Sequence, residues 1–261
     1  MGHIRLGTLP DTARWRKVVG LLADEQANVA AVAGATMHAA ERGLEIASHD
    51  DGLCHALWLL TQVTLAANQQ DFATALKQAG LSVPSGPSVF EIVGGFSDAV
   101  DRHLRQNRSR TDIGEMAQLA AAETLTSLCT QKSTTLFGTT PADVQAAVKS
   151  FSTKAGFSVL AHDFFARLTQ RYLTYHLSRE LSKHVGKDQR FRSPKDHAEF
   201  IEQLNVHCRQ AAVIVREFAG GWYSRTNYES GISPTKARNF AYVAMKKIRA
   251  ELKIRGERDV D

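Results

Sequence analysis

Apolar side chains recur along this chain with the three-to-four-residue period of an amphipathic α-helix. Two of the clearest stripes are Trp15, Val18, Val19 and Leu22, and Leu53, Leu57, Leu60, Thr64 and Leu65. The strict alternation of a half-buried strand, bounded by hairpin turns, is not found. We therefore predict an all-α protein, a multi-helix bundle of about 8–10 helices with no significant sheet.

Three of the predicted helices begin with the same kind of start signal, a hydroxyl side chain followed by proline. The signals are Thr140-Pro-Ala-Asp143, Ser193-Pro-Lys-Asp196 and Ser233-Pro-Thr-Lys236. A hydroxyl group caps the first amide groups of a helix, and proline suits the first turn. An aspartate near the start is favoured by the helix dipole. We expect the last two of these helices to reach about Phe218 and Ile254.

The remaining helices and the domain organisation follow from periodicity and from helix breakers. Further helices are predicted at about 12–23, 27–47, 53–79 with a break near 66–70, 89–106, 112–129 and 158–184. Residues 81–88 form the clearest linker. We expect an extended N-terminal arm at 1–10, a first half at 11–134, a second half at 135–255 and a flexible tail at 256–261, with the two halves packed as one globular unit.

The charge is divided unequally between the two halves. Residues 1–130 contain 10 Lys and Arg and 14 Asp and Glu, a net charge of −4, whereas residues 131–261 contain 22 and 13, a net charge of +9. All five tyrosines lie in the second half. A basic, tyrosine-bearing half indicates contact with phosphate groups or with an acidic partner. Alternatively, the acidic half packs on the basic half and the two fields largely cancel.

Cysteine usage and hydropathy predict a cytoplasmic protein without membrane insertion. The three cysteines are far apart, and none belongs to a C-x-x-C pair, which argues against a disulfide framework or a thiolate zinc site. No secretory signal and no apolar run long enough to span a bilayer are visible. Phosphate-loop, dinucleotide, nucleophile-elbow and metalloprotease motifs are also missing, so no cofactor is predicted.

One cluster contains side chains of the types that bind metal ions. His49, Asp51 and His55 are the weak candidate ligands, since imidazole and carboxylate groups suit zinc or iron. His38, Glu41 and Glu45 share a helical face with His49 by spacing. The alternative is that Asp50-Asp51-Gly52 is a turn between two helices, with an aspartate capping the second, and that the shared face is simply solvated.

An arginine is followed five residues later by a histidine at three places. The pairs are Arg171 and His176, Arg179 and His184, and Arg192 and His197. Arginine can hold a phosphate while histidine moves protons. The R-x4-H spacing resembles that of HEPN-family ribonucleases, and the resemblance, which covers this motif alone, implies metal-independent RNA cleavage by an Arg and a His paired across a dimer. The alternative is a basic amphipathic helix with incidental histidines.

The segment 218–228 is predicted to be a loop rich in aromatic side chains. Gly220 and Gly221 can end the preceding helix. The residues that follow and could contact a partner or stack on a base are Trp222, Tyr223, Arg225 and Tyr228. Alternatively, Trp222 fills the core and the tyrosines bond to nearby backbone.

The last predicted helix divides into a cationic face and an apolar face. Its cationic face carries Arg238, Tyr242, Lys246, Arg249 and Lys253. The opposite face carries Ala237, Phe240, Ala241, Ala244, Ile248 and Leu252. The cationic stripe could follow a phosphate backbone, or it could be an ordinary solvated surface.

These features together predict a non-enzymatic accessory or adaptor subunit of a multiprotein assembly. We expect it to dock to other protein subunits, and to DNA or RNA through its basic second half. A bacterial assembly, for example one in antiviral defence, is the expected setting. Two alternatives are the HEPN-like ribonuclease and a stand-alone nucleic-acid-binding module.

Overall fold

The computed structural model describes residues 11–41, 43, 45, 49–133 and 139–258. Eleven α-helices with defined bounds and no strand occur within these residues, which confirms the predicted all-α fold. The only pairing of extended backbone in the described part of the chain is an isolated bridge between Val185 and Phe191. None of the described helices combines the length and the apolar character needed to cross a bilayer.

The helices, numbered in chain order, are α1 (Ala13–Ala23), α2 (Val29–Ala39), α3 (Asp51–Ala66), α4 (Phe72–Gln78), α5 (Val89–Asn107), α6 (Asp112–Ser133), α7 (Pro141–Ser150), α8 (Lys154–Leu181), α9 (Pro194–Ala211), α10 (Val213–Ser230) and α11 (Pro234–Arg258). A 3-10 turn, Ser182–His184, follows α8. The helix predicted to reach Phe218 is divided at Ala212 instead. Residues 256–258, predicted as part of the tail, are helical, while the predicted arm at 1–10 and residues 259–261 lie outside the described residues.

All three predicted start signals stand at helix starts, because each proline is the first residue of its helix. Thr140 and Asp143 cap each other, and the amide of Thr140 donates to the Asp143 carboxylate over 2.9 Å. Ser193 and Asp196 form the same reciprocal arrangement. The amide groups of a first helical turn have no partner within the helix, so such caps set where the helix begins.

Helix α8 lies at the centre of one side of the fold and packs against α6, α9 and α10. Phe157, Phe164, Phe165 and Tyr172 are fully buried along it. On the other side, α11 packs against α2 and α3. Because α11 belongs to the basic half and α2 and α3 belong to the acidic half, the two halves are in direct contact.

The glycine pair Gly220-Gly221 lies inside α10, so the prediction of a loop at 218–228 is wrong. Gly220 allows α10 to approach α8 closely, because a Cβ atom there would stand 2.1 Å from the carbonyl oxygen of Lys154. The amide of Gly220 also donates to Ser158 Oγ over 3.1 Å. A Cβ atom on Gly221 would meet nothing within 4 Å. Close packing, and not a helix end, therefore explains the glycine at position 220.

Arg190 fastens the first helix to the second half of the chain. Its guanidinium donates to the carbonyl oxygens of Leu21 over 2.6 Å and Asp24 over 2.7 Å, and also to that of Ala27. The same group lies over the ring of Phe200, 5.3 Å from its centroid. Carbonyl groups at the end of α1 have no partner within that helix. Arg190 therefore supplies, from a distant part of the sequence, the donors that this connection lacks.

A buried carboxylate, that of Asp163, joins three helices. Its side chain is only 6% exposed, and it accepts from Arg167 Nε of the same helix over 2.6 Å. It also accepts from Thr124 of α6 over 2.9 Å and from Arg209 of α9 over 3.0 Å. Burial of a charge is costly unless it is paired and hydrogen-bonded. The three donors meet that requirement for Asp163.

Candidate nucleic-acid interface

The apolar face of α11 is buried, as its periodicity predicts. The members of this face are Ala237, Phe240, Ala241, Ala244, Ile248 and Leu252, and each is at most 3% exposed. They lie on the side of the helix that packs on α2, α3 and α10. This packing fixes the rotation of α11 about its own axis, so the opposite, cationic face points to solvent.

The outer face of α11 carries cations that lack acidic partners. The helix contains eight Lys and Arg and two Glu. Arg238, Lys246 and Lys253 are exposed, and none of them forms an ion pair with any residue that the structure describes. From Arg238 to Lys253 the helix rises about 22 Å at the usual rise per residue. The outer face is therefore a row of uncompensated positive charge.

Arg249, which was predicted to belong to this row, is held differently. It is half-buried, and its guanidinium lies 3.2 Å from a carboxylate oxygen of Glu41 and 3.2 Å from one of Glu45. These contacts tie α11 to the segment that follows α2. At this position a basic residue of the second half is neutralised by acidic residues of the first half, as the alternative interpretation of the charge pattern expects.

Two residues of the predicted cationic face, Tyr242 and Arg238, contact residues at or just before the beginning of α3. The ring of Tyr242 stacks on that of His49, with 5.4 Å between the centroids and 24° between the planes. Arg238 lies beside the Cys54 thiol, whose pKa is raised to about 11 by burial against the opposing effect of this arginine. Tyr242 nevertheless remains exposed, and it offers an aromatic surface in the middle of the row.

The aromatic residues of α10 divide between the core and the surface, which corrects their prediction as one contact loop. Tyr223 is buried, stacks on Phe157 at 4.2 Å and shares a 2.9 Å hydrogen bond with Thr64. Burial raises the pKa of its phenol to about 12. Trp222 is half-buried and stacks on Phe240 at 4.2 Å. Both rings therefore pack within the protein.

The other two predicted contact residues of α10 do point outward. Arg225 is exposed, and Tyr228 is 93% exposed at the last turn of α10. The turn that leads from Tyr228 into α11 is anchored on α3, because Trp58 Nε1 donates to the carbonyl oxygen of Ile232 over 3.1 Å. Tyr228 is thus held near the start of α11.

The three candidate metal ligands are directed to different partners. His49 stacks on Tyr242, as described above. Asp51 contacts His103 Nε2 at 2.9 Å and accepts from Ser109 over 2.8 Å. His55 stacks on His103 with 3.7 Å between centroids and 3° between the planes. An imidazole binds a metal ion in its ring plane, and two parallel rings at this separation do not share one. Within the described ranges, no group of three such side chains could hold an ion.

The His103 ring was not anticipated from the sequence, yet it determines the chemistry of this cluster. Burial and the neighbouring His103 lower the pKa of His55 to about 4, so His55 is neutral near pH 7. The carboxylate of Asp51 faces the other ring, and its pKa is lowered by hydrogen bonds from Ser109 and His103, although burial opposes this. The cluster consequently joins the start of α3 to the end of α5.

The structure does not bring Arg171 and His176 together. Five residues along a helix turn the side chain by about 140° around the axis. Arg171 forms an ion pair with Glu123 of α6. His176 is buried between the edges of Tyr172 and Tyr175, and burial lowers its pKa to about 4. The two side chains therefore lie on different faces of α8.

The other two pairs at this spacing are each divided between elements. Arg179 is exposed near the end of α8, and His184 closes the 3-10 turn that follows. Arg192 precedes α9, whereas His197 lies within it against the ring of Phe191.

No known protein family, characterised protein or solved structure matches this chain.

Proposed function

We propose that this protein is a non-catalytic accessory subunit that binds nucleic acid through the outer face of α11. The observation that carries the proposal is the row formed by Arg238, Lys246 and Lys253, exposed cations without ion-pair partners among the described residues. The core contacts of the opposite face hold this row in place. The packing of α11 therefore sets the positions along the helix from which these cations project.

The spacing of the row suits a polymer of phosphates better than a single small anion. Lys246 and Lys253 are seven residues apart, which is two helical turns or about 10 Å. Duplex DNA carries one negative charge per about 1.7 Å of its axis, so each cation can meet its own phosphate. Binding would release condensed counterions from the polymer, which makes the affinity depend on salt.

Tyr242 favours nucleic acid over an acidic protein as the partner. It stands in the middle of the row and is partly exposed, with His49 behind it. Aromatic rings beside cations stack on bases of single strands. An acidic polypeptide would use the cations but not the ring.

Docking to a protein subunit is the second element of the proposal. Exposed apolar side chains support it, in particular Phe90 at the start of α5 and Leu119 on α6. These helices pack against each other and against α3, whereas α11 packs chiefly on α2 and α3. Separate surfaces for protein and for nucleic acid are what an adaptor needs.

Reversing two charges of the row is expected to abolish most of the binding. The affinity of the native protein for a fluorescent single-stranded oligonucleotide, measured by anisotropy, should fall about 20-fold between about 50 and 200 mM salt, as three phosphate contacts require. The Lys246→Glu/Lys253→Glu variant should bind about 30-fold more weakly at the lower salt concentration, with a shallower salt dependence.

The matched control is Lys77→Glu/Lys195→Glu, which changes the net charge by the same amount at exposed positions on α4 and α9. It should retain nearly all of the affinity. Equal weakening by both variants would mean that net charge alone attracts the oligonucleotide. Absence of binding by the native protein at the lower salt concentration would refute the nucleic-acid proposal, and so would displacement of the oligonucleotide by polyglutamate at equal charge concentration.

A further inference from the structure

A groove of about 500 Å³ lies between α1, α2 and the end of α11. Its apolar surface is made of small side chains and one leucine: Ala13, Leu21, Ala31, Gly34, Ala35 and Gly256. Helix α2 packs against both α1 and α11, so it forms the floor between them. The volume falls within the range of small-molecule pockets, about 300–1,000 Å³.

The groove exists because two glycines bring α2 and α11 together. A Cβ atom on Gly34 would stand 2.9 Å from the carbonyl oxygen of Leu252 and 3.2 Å from the Cα atom of Gly256. At this crossing neither helix has a side chain that could extend into the space beside it. The floor therefore consists of backbone and methyl groups, which present a smooth apolar surface.

The rim of the groove is predominantly basic. Lys17 of α1 and Lys253 of α11 are exposed on opposite sides, and neither forms an ion pair with a described residue. Arg14 and His38 also line the rim, where Arg14 is paired with Glu41 at 3.1 Å. Glu257 is the acidic residue of the lining. Two lysines thus face the groove with their charge uncompensated.

We propose that this groove binds a small amphiphilic anion, an alkyl chain ending in a phosphate or carboxylate group. The head group would lie between Lys17 and Lys253, and the chain would lie along Ala31 and Ala35. Among the described residues, the one ring in the lining is the His38 imidazole at the rim, and the floor itself offers methyl and backbone surfaces, which suit a hydrocarbon better than a nucleobase. This site shares Lys253 with the nucleic-acid surface, but it extends away from that surface onto α1 and α2 through Lys17 and Ala35.

Isothermal titration with octyl phosphate, kept below the concentration at which it forms micelles, tests the proposal. The expected result is binding at one site, with inorganic phosphate and octyl glucoside each about tenfold weaker or worse, because each offers only half of the contacts. Ala35→Phe, which fills the floor, and Lys17→Glu, which reverses one head-group contact, should each weaken octyl phosphate binding about tenfold or more. If the Ala35→Phe variant does not fold, the Lys17→Glu variant alone still tests whether the groove is the binding site.

Lys246→Glu is the control that separates this proposal from the previous one. It should leave octyl phosphate binding unchanged while it weakens oligonucleotide binding. Absence of heat with the native protein at each of two well-separated temperatures, or binding that neither Ala35→Phe nor Lys17→Glu affects, would overturn the groove as a ligand site. Two temperatures are needed because burial of an alkyl chain can give almost no heat near room temperature. A further outcome would also overturn the groove proposal: the native protein sediments with phosphatidylglycerol vesicles, Lys17→Glu does not, and neither binds octyl phosphate. The cations would then belong to a surface that contacts membranes.

Discussion

Replacing Gly220 with alanine is expected to lower the free energy of unfolding by about 3 kcal/mol, although alanine is the better helix former. The added Cβ atom would stand 2.1 Å from the Lys154 carbonyl oxygen and 2.6 Å from Ser158 Oγ. The serine side chain could rotate away, but the carbonyl group is part of α8 and could not. Helices α8 and α10 would therefore have to separate along one of the largest packing surfaces in the fold.

Gly221→Ala is the matched control, since it makes the same chemical change one residue along the same helix. Nothing lies within 4 Å of the new Cβ atom, so the helix propensity of alanine should raise the free energy of unfolding by about 0.5–1 kcal/mol. Urea unfolding followed by circular dichroism measures both changes. Shifts of the same sign in the two variants would contradict the proposed packing of α10 on α8.

The second large effect is expected for Asp163→Ala, at about 2–3 kcal/mol of lost stability. The variant would leave the Thr124 hydroxyl and the guanidinium groups of Arg167 and Arg209 without their common acceptor. Arg167 would keep Glu123, and Arg209 is partly exposed. The loss therefore comes mainly from the removed charge-assisted hydrogen bonds and from the buried Thr124 hydroxyl, which would lose its acceptor. Asp163→Asn, which keeps an acceptor oxygen but not the charge, should lie between the native protein and Asp163→Ala.

Glu123→Ala provides the comparison for Asp163, because Glu123 contacts the same Arg167 from an exposed position. Its ion pairs are screened by water, so the variant should cost less than about 1 kcal/mol in the same urea experiment. If the two alanine variants lost equal stability, the burial of Asp163 would not be the source of its importance.

Helix starts and buried helix faces that depend on residues close together in the sequence could be predicted. The Thr140 and Ser193 starts depend on side chains within four residues, and the structure has both as reciprocal caps. The apolar stripe of α11 repeats over about four turns, so its buried face is predictable residue by residue. In both cases the pattern that predicts the feature lies within a single helix, so it can be recognised without knowing which other helices pack against it.

The errors concern residues whose partners lie far away in sequence. The local pattern predicts a helix end at Gly220, since glycine is common there, and nothing in it distinguishes a helix end from a close approach to Lys154. The pattern likewise places Tyr223 in a contact loop, because its actual partner, Thr64, is 159 residues away and gives no local signal. The His55 stack on His103 was missed for the same reason. Pairing of this kind is set by tertiary structure, which a single sequence does not display.

The Arg190 contacts have a consequence for the order in which the chain acquires its structure. The carbonyl groups of Leu21, Asp24 and Ala27 precede Arg190 by 163 to 169 residues. At translation rates of about 5–20 residues per second, roughly 10 to 30 s pass before the arginine is made. Until then Asp24 can accept only from the nearby Ala27 amide, the carbonyl groups of Leu21 and Ala27 lack the arginine as a donor, and α1 is not tied to the second half. Helix α1 is therefore secured only after the roughly 165 residues that separate it from Arg190 have been made.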